Sequence, residues 1–334
     1  MGEDFHMSDV RFSVLAMIVV LISTPALAQN QPPQLTPEQK ADTEALRTLV
    51  NAAPLLPVEQ VEIKINPPMT LEGYSAVAGD KQGNVYILHR PESKDVDPVV
   101  VIDSKGKFLR SWGKGTMSIP HSIRLDPADN VWVGDAHTSM FYKFTPEGKK
   151  LMEISVGDIP DPNRPFCGAT DTAFASNGHI FISDGYCNGR FIEYGADGKK
   201  LREWGKRGTT AGEFNVAHDI AITNQRLYVA DRENGRLQWF DLDGRYLGEK
   251  KFGGQLYSVA VSPAGDVYVG AYPRGVPAGT DAHILKFDPT SGKILGKVQA
   301  IAHQLSVGPD GTLYPGTRVG KTGSVLVIHP GKVD

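Results

Sequence analysis

From Tyr74 to the C-terminus, short apolar runs recur in groups of four, separated by tight polar turns. Each unit opens with a short apolar strand. A polar turn, a β-branched strand ending in Asp or Arg, a third strand, a Gly-Lys or Gly-Arg turn and a fourth strand follow. The opening strands are YSAVA at Tyr74, HSIRL at His121, TDTAF at Thr170, HDIAI at His218, YSVAV at Tyr257 and HQLSV at His303, spaced by 47, 49, 48, 39 and 46 residues. Four strands at a period of roughly 40 to 50 residues mark a β-propeller. The second turns recur as Lys105-Gly106-Lys107, Glu147-Gly148-Lys149, Asp197-Gly198-Lys199, Asp243-Gly244-Arg245 and Ser291-Gly292-Lys293. In the sixth unit Pro330-Gly331-Lys332 reaches that turn and the outer strand is missing. The segment Val61–Ile65 alternates as a half-buried strand should. Joined to the last blade, it removes two exposed sheet edges. The pattern predicts an all-β, six-bladed propeller over residues 61–334, its N-terminal strand completing the last blade.

Two further patterns precede the repeats. Thr36-Pro37-Glu38-Gln39 reads as a capping box with Pro in the first turn, opening a short helix to about Val50; it is expected to be packing decoration within a linker over residues 29–60. Phe12–Ile22 is an apolar run following Arg11 and followed by Ala26-Leu27-Ala28, the form of a signal peptide over residues 1–28 cut before Gln29. The run is too short for a membrane anchor, which needs about 20 apolar residues. Secretion or periplasmic export is therefore expected, under conditions that permit a disulfide.

Composition adds exclusions. With 40% hydrophobic and 22% charged residues the chain can bury a large core, and its net charge of −3 without a basic block excludes a nucleic-acid binder. No membrane association is expected after signal cleavage. Only two cysteines are present, so this is no disulfide scaffold. Cys167 precedes the first strand of blade three and Cys187 follows the second, so topology brings them together; a bond closing that loop stabilises by roughly 3 kcal/mol.

Position within the repeat locates the chemistry. In a propeller the first strand lines the central channel and the second returns antiparallel, so the start of one and the end of the other share a face. His121, His218 and His303 hold the same opening position in blades two, four and six, and alternate blades place them around one axis. Three imidazoles with room for a further ligand describe a catalytic zinc site, other divalent transition metals being alternatives. A single His would be read as a channel residue bonded to a neighbouring strand; three at equivalent places favour a metal. On the same face lie Arg90, Asp135 with His137, Asp184 with Tyr186, Asp231 with Arg232, and Arg318. Arg offers a fork for a carboxylate, and Tyr186 can act as a base where cations favour its phenolate. A small anionic, oxygen-bearing substrate is expected. Asp135, Asp184 and Asp231 are assigned to backbone and turn hydrogen bonds, and Arg190 and Arg236 to solvated ion pairs.

These residues resemble those of the peptidyl-alpha-hydroxyglycine alpha-amidating lyases, propellers of the NHL-repeat type. The resemblance is densest in Phe166-Cys167 with Thr170-Asp171, in DGYCN at Asp184–Asn188, and in ADRENGR at Ala230–Arg236, with Ile119-Pro120-His121 and Leu88-His89-Arg90 in register. It implies zinc on His121, His218 and His303, Tyr186 as catalytic base, and Arg90 and Arg232 near the substrate carboxylate and hydroxyl. The implied reaction cleaves an N-acyl-alpha-hydroxyglycine, peptidyl or smaller, to a primary amide and glyoxylate. The sequence departs from the family at Ile301, where a Met is usual, and at Gln304, where an Asp helps hold a structural calcium; an amide brings no charge to such a site, so a calcium cofactor is doubtful. Tyr228 and Trp239 stand where the family has a second disulfide. The family's companion copper hydroxylase domain has no counterpart in these residues, so the hydroxylated substrate is expected to come from elsewhere, as from a separate hydroxylase, or to be something other than a peptide. Two other readings compete: a lactonase-like metal-dependent hydrolase and a non-catalytic NHL binding propeller. Three His with Tyr186 and two Arg exceed what a binder needs, and nitrogen donors suit a transition metal better than the calcium of a typical lactonase channel.

Overall fold

The computed structural model describes residues 34–277, 279–316 and 320–331. The signal peptide expected over residues 1–28, and Arg318, lie outside the described residues. Six four-stranded antiparallel sheets follow one another in chain order as the blades of a propeller. The first strands of blades one to five are Ala76–Gly79, Pro120–Leu125, Asp171–Phe174, Ala217–Thr223 and Gln255–Val261. Blade six combines Leu305–Val307, Leu313–Pro315 and Ser324–Pro330 with an outer strand from the other end of the chain, Val58–Lys64. That strand pairs in continuous register from Val58 opposite Pro330 to Lys64 opposite Ser324. It starts slightly earlier than its alternation predicts and closes the ring as expected.

The strands are held by apolar side chains meeting between blades. Tyr86 and Val99 of blade one pack with Val131 and Val133 of blade two. Phe181 and Phe191 of blade three pack with Leu227, Val229 and Phe240 of blade four. The turns have a shared local cause: Asp80, Asp103, Asp126 and Asp241 each accept two backbone N–H bonds through one carboxylate oxygen, from the second and fourth residues onward. This is the Asx-type closure that makes Asp a turn residue. At Gly106, φ is 86° and a Cβ would stand 2.0 Å from the Lys64 carbonyl oxygen, so only glycine lets the closing strand pass.

The helix spans Pro37–Ala52, with the Thr36–Gln39 capping box formed in both directions. Leu46 and Val50 pack with Phe252, Leu256 and Phe287 against blade five. It does more than decorate. Its Asp42 carbonyl accepts the Gly254 N–H, and its Thr43 hydroxyl accepts the Arg274 N–H, so the helix braces the loop that carries Arg274.

Arg190 and Arg236 are not the solvated pairs their positions suggested. Arg236 is 6% exposed; its guanidinium bonds Asp231, Glu249 and the carbonyls of Thr210 and Glu213. Arg190 joins Asp184, Asp158 and Glu203. In both cases part of the burial comes from a loop remote in sequence folding over the blade, which strand periodicity does not reveal.

Candidate metal centre

The opening positions of the blades are aimed at the axis by the backbone. Pairing along blade two jumps from Pro120 to Ser122, along blade four from Ala217 to Asp219 and along blade five from Leu256 to Ser258. The skipped residues are His121, His218 and Tyr257. A bulge of this kind bends the strand and redirects a side chain. His303 stands just before the first strand of blade six, its N–H bonded to the Gly316 carbonyl.

His121, His218 and His303 are 1%, 1% and 2% exposed. Their ring centroids form a near-equilateral triangle with sides of 4.8, 4.9 and 5.0 Å. Each offers a potential ligand atom within 4.8 Å of the others. The tautomers follow from the second nitrogen. Nδ1 of His121 lies 2.7 Å from the Thr170 carbonyl oxygen, Nδ1 of His218 2.7 Å from that of Tyr257, and Nδ1 of His303 3.2 Å from that of Ser75. A carbonyl only accepts, so each Nδ1 carries a proton, and in the neutral ring the lone pair is then on Nε2. This is the arrangement of a metal-ligating imidazole held by an outer partner. Burial, reinforced by His303, Arg232 and His121, pushes His218 well below the usual imidazole range. The donor set therefore fits a divalent transition metal: three imidazole Nε2 atoms facing one another, each ring already oriented.

Tyr186 stands beside this triangle. Its hydroxyl is 2.9 Å from Nε2 of His121 and 3.2 Å from Nε2 of His218. The residue is 6% exposed and packs with Ala136 and Val216. The Cys167–Cys187 disulfide, with Cα atoms 4.9 Å apart, fixes the next residue in the chain. The Arg232 guanidinium lies over two phenol rings, 5.5 Å from the centre of Tyr186 and 5.1 Å from that of Tyr257. Burial works against its charge, but Tyr186, Tyr257 and Glu233 outweigh it and raise its pKa. Glu233 in turn accepts from Arg232, Arg274 and Gln255. Burial opposes its ionisation, yet the two guanidinium groups hold it below the usual carboxylate range. Arg90 donates through Nε to the carbonyl of Pro120, the residue before His121, at 2.7 Å. Its guanidinium is 5.6 Å from the Phe166 ring, which packs 5.3 Å from that of Tyr186. The chain from Arg90 through Phe166 and Tyr186 to Arg232 thus forms one continuous wall.

The three aspartates hold backbone and side chains. Asp135 accepts from the N–H groups of Ser118, Ile119, His137 and Thr138. Asp184 accepts from Asn188 and Arg190, and Asp231 from Asn215, Asn234, Arg236 and Gln238.

Several supporting residues have no counterpart in the sequence reading. Glu233 and Arg274 lie on separate loops and Gln255 opens the first strand of blade five, so no local motif joins them. Tyr257 was legible in principle, since it opens blade five as the histidines open theirs. Immediately beyond the histidines along the same strands is a second buried cluster. Arg124 reaches Asp171, Asp219 and the Leu305 carbonyl, and Gln304 donates to Asp171 while accepting the Ile123 N–H. Gln304, which replaces a calcium-binding Asp in the resembled family, has both amide atoms engaged within the protein.

Comparison with known proteins agrees with the motifs. The NHL repeat model matches residues 214–240. Mouse peptidyl-glycine alpha-amidating monooxygenase is 30% identical over 284 residues, covering 72% of this chain and 29% of its own length. Peptidyl-alpha-hydroxyglycine alpha-amidating lyase 1 of Drosophila melanogaster is 31% identical over 232 residues, covering 58% of this chain and 43% of its own length. The chain thus spans less than half of either relative. A streptogramin B lyase structure superposes with a TM-score of 0.55 at 13% identity, over 81% of this chain and 97% of its own, which speaks to the propeller fold alone. The resemblance carried by the Cys167, Tyr186 and Arg232 tracts is matched by relatives that bear the amidating-lyase name.

Proposed function

We propose, from this kinship with the amidating lyases, that the protein is an exported metal-dependent carbon–nitrogen lyase, cleaving an N-acyl-alpha-hydroxyglycine to a primary amide and glyoxylate. The observation that carries the reading is the meeting of three converging imidazole Nε2 atoms with the Tyr186 hydroxyl, 2.9 and 3.2 Å from two of them. Zinc is the proposed ion, held by His121, His218 and His303; when bound it supplies Lewis acidity toward a substrate oxygen. The remaining work falls to the chain. Arg90 and Arg232 hold the substrate carboxylate, Arg232 using Nε on Glu233 and presenting its Nη pair. Arg232 over the Tyr186 ring favours the phenolate, so Tyr186 can take the proton of the alpha-hydroxyl. The freed electron pair forms the aldehyde of glyoxylate as the carbon–nitrogen bond breaks. The departing nitrogen then takes a proton from the Tyr186 phenol and leaves as a primary amide, so the base is regenerated.

Export is supported by the leader-like N-terminal sequence and by the Cys167–Cys187 bond. The test is glyoxylate release from N-acetyl-alpha-hydroxyglycine by the purified protein, with and without zinc reconstitution. Release that follows zinc content supports the reading; none from fully loaded protein overturns it.

A further inference from the structure

A cavity of about 180 Å³ opens beside His303, between blades five and six. Tyr257, Tyr272, Pro273, Val276 and Ile301 line it, with Gln255, Thr280 and His303 as its other polar side chains. Among the described residues no Asp, Glu, Lys or Arg lines it. Two of its walls are fixed. Tyr272 is 8% exposed, accepts the Ala302 N–H through its hydroxyl at 2.6 Å, and packs 4.4 Å from the Tyr257 ring. Tyr257 is held from the other side by Arg232 and by the His218 ring at 5.3 Å. His303 belongs to both the cavity and the metal triangle, so a molecule held at the triangle has this cavity beside it.

We infer that the cavity is the acyl subsite, and that it selects substrates with an uncharged aromatic or branched aliphatic group on the amide side of the scissile bond. The inference rests on the lyase reading for the identity of the substrate. The argument is one of size and chemistry. An apolar cavity of roughly 150 Å³ accommodates a benzene ring, so this one admits a single ring or a short branched chain. The substrate's carboxylate is taken by Arg90 and Arg232, neither of which lines the cavity. A charged acyl end would enter the cavity without a counter-charge and lose its hydration, whereas an apolar one gains by burial.

The test compares kcat/KM for four N-acyl-alpha-hydroxyglycines: acetyl, isovaleryl, benzoyl and the carboxylate-terminated succinyl. Isovaleryl and benzoyl should exceed acetyl by at least roughly 10-fold, in the range that apolar pockets discriminate, and succinyl should not. Val276→Trp, which fills the cavity from a loop outside the metal site, should remove the preference for benzoyl over acetyl. A flat series, a succinyl preference, or equal losses on acetyl and benzoyl in Val276→Trp overturns the subsite. Binding of benzamide and acetamide to zinc-loaded protein, measured by calorimetry, separates the subsite from the reaction. Benzamide bound by the parent but not by Val276→Trp upholds the cavity even where no substrate turns over. Benzamide binding that is absent, or unaffected by Val276→Trp, overturns it.

Discussion

Tyr186 carries the greatest chemical demand of any single residue. Its hydroxyl lies beside two ligand nitrogens and its ring beneath a guanidinium, so removal of the oxygen deletes the proposed base without disturbing the donors. Loss of a general base commonly costs 10²- to 10⁴-fold. Tyr186→Phe is expected to lose at least about 10²-fold in turnover while binding zinc at the parental stoichiometry, measured by elemental analysis alongside steady-state glyoxylate production. The histidines should behave oppositely. His121→Ala, His218→Ala or His303→Ala leaves two imidazoles where three converge, and zinc retention after dialysis should fall sharply in each. Stoichiometric metal in all three variants would contradict the triad.

At the scale of elements, the loop between the second and third strands of blade three is tied to its neighbour by the disulfide, and Tyr186 rides on it. The bond closes a separation of 20 residues. On the chain-entropy argument, the double substitution Cys167→Ala with Cys187→Ala should cost roughly 3 kcal/mol, read as a lowered denaturant midpoint. An unchanged midpoint would remove the bond from the stability account. The four strands of each blade and the capped helix were legible in the sequence because their signals are local: alternation, Asp- and Gly-bearing turns, and a box formed by Thr36 and Gln39. The histidines were legible because they recur at one repeat position. The Glu233, Arg274 and Gln255 linkage was not, since it joins two loops and a strand end whose proximity exists only after blades four and five pack. For the same reason Arg236 looked exposed: its carbonyl partners at Thr210 and Glu213 lie in the connection from the previous blade.

At the scale of the whole molecule, the propeller is closed twice, once at its rim by Val58–Lys64 and once on its axis. The axial closure uses charge. Arg124 of blade two meets Asp171 of blade three, Asp219 of blade four and the Leu305 carbonyl of blade six. Burial pushes Asp219 up, whereas Arg124 overrides burial at Asp171 and holds it low, so the pair shares one guanidinium across the channel. Arg124→Met leaves these carboxylates buried without their cation, a change that typically costs about 3 to 5 kcal/mol. A lower thermal midpoint is expected, and an unchanged one would show that the axial cluster does not bind the blades together. His121 and His218 lie on these first strands and His303 just before that of blade six, so one closed ring sets the spacing of the three ligands. The claim on which the functional account turns is which carbon–nitrogen bond breaks. Its most direct measurement is the product derived from the acyl half of N-benzoyl-alpha-hydroxyglycine after incubation with zinc-loaded protein. The account predicts benzamide, formed in equal amount with glyoxylate; benzoic acid in its place would show cleavage on the acyl side and contradict the lyase.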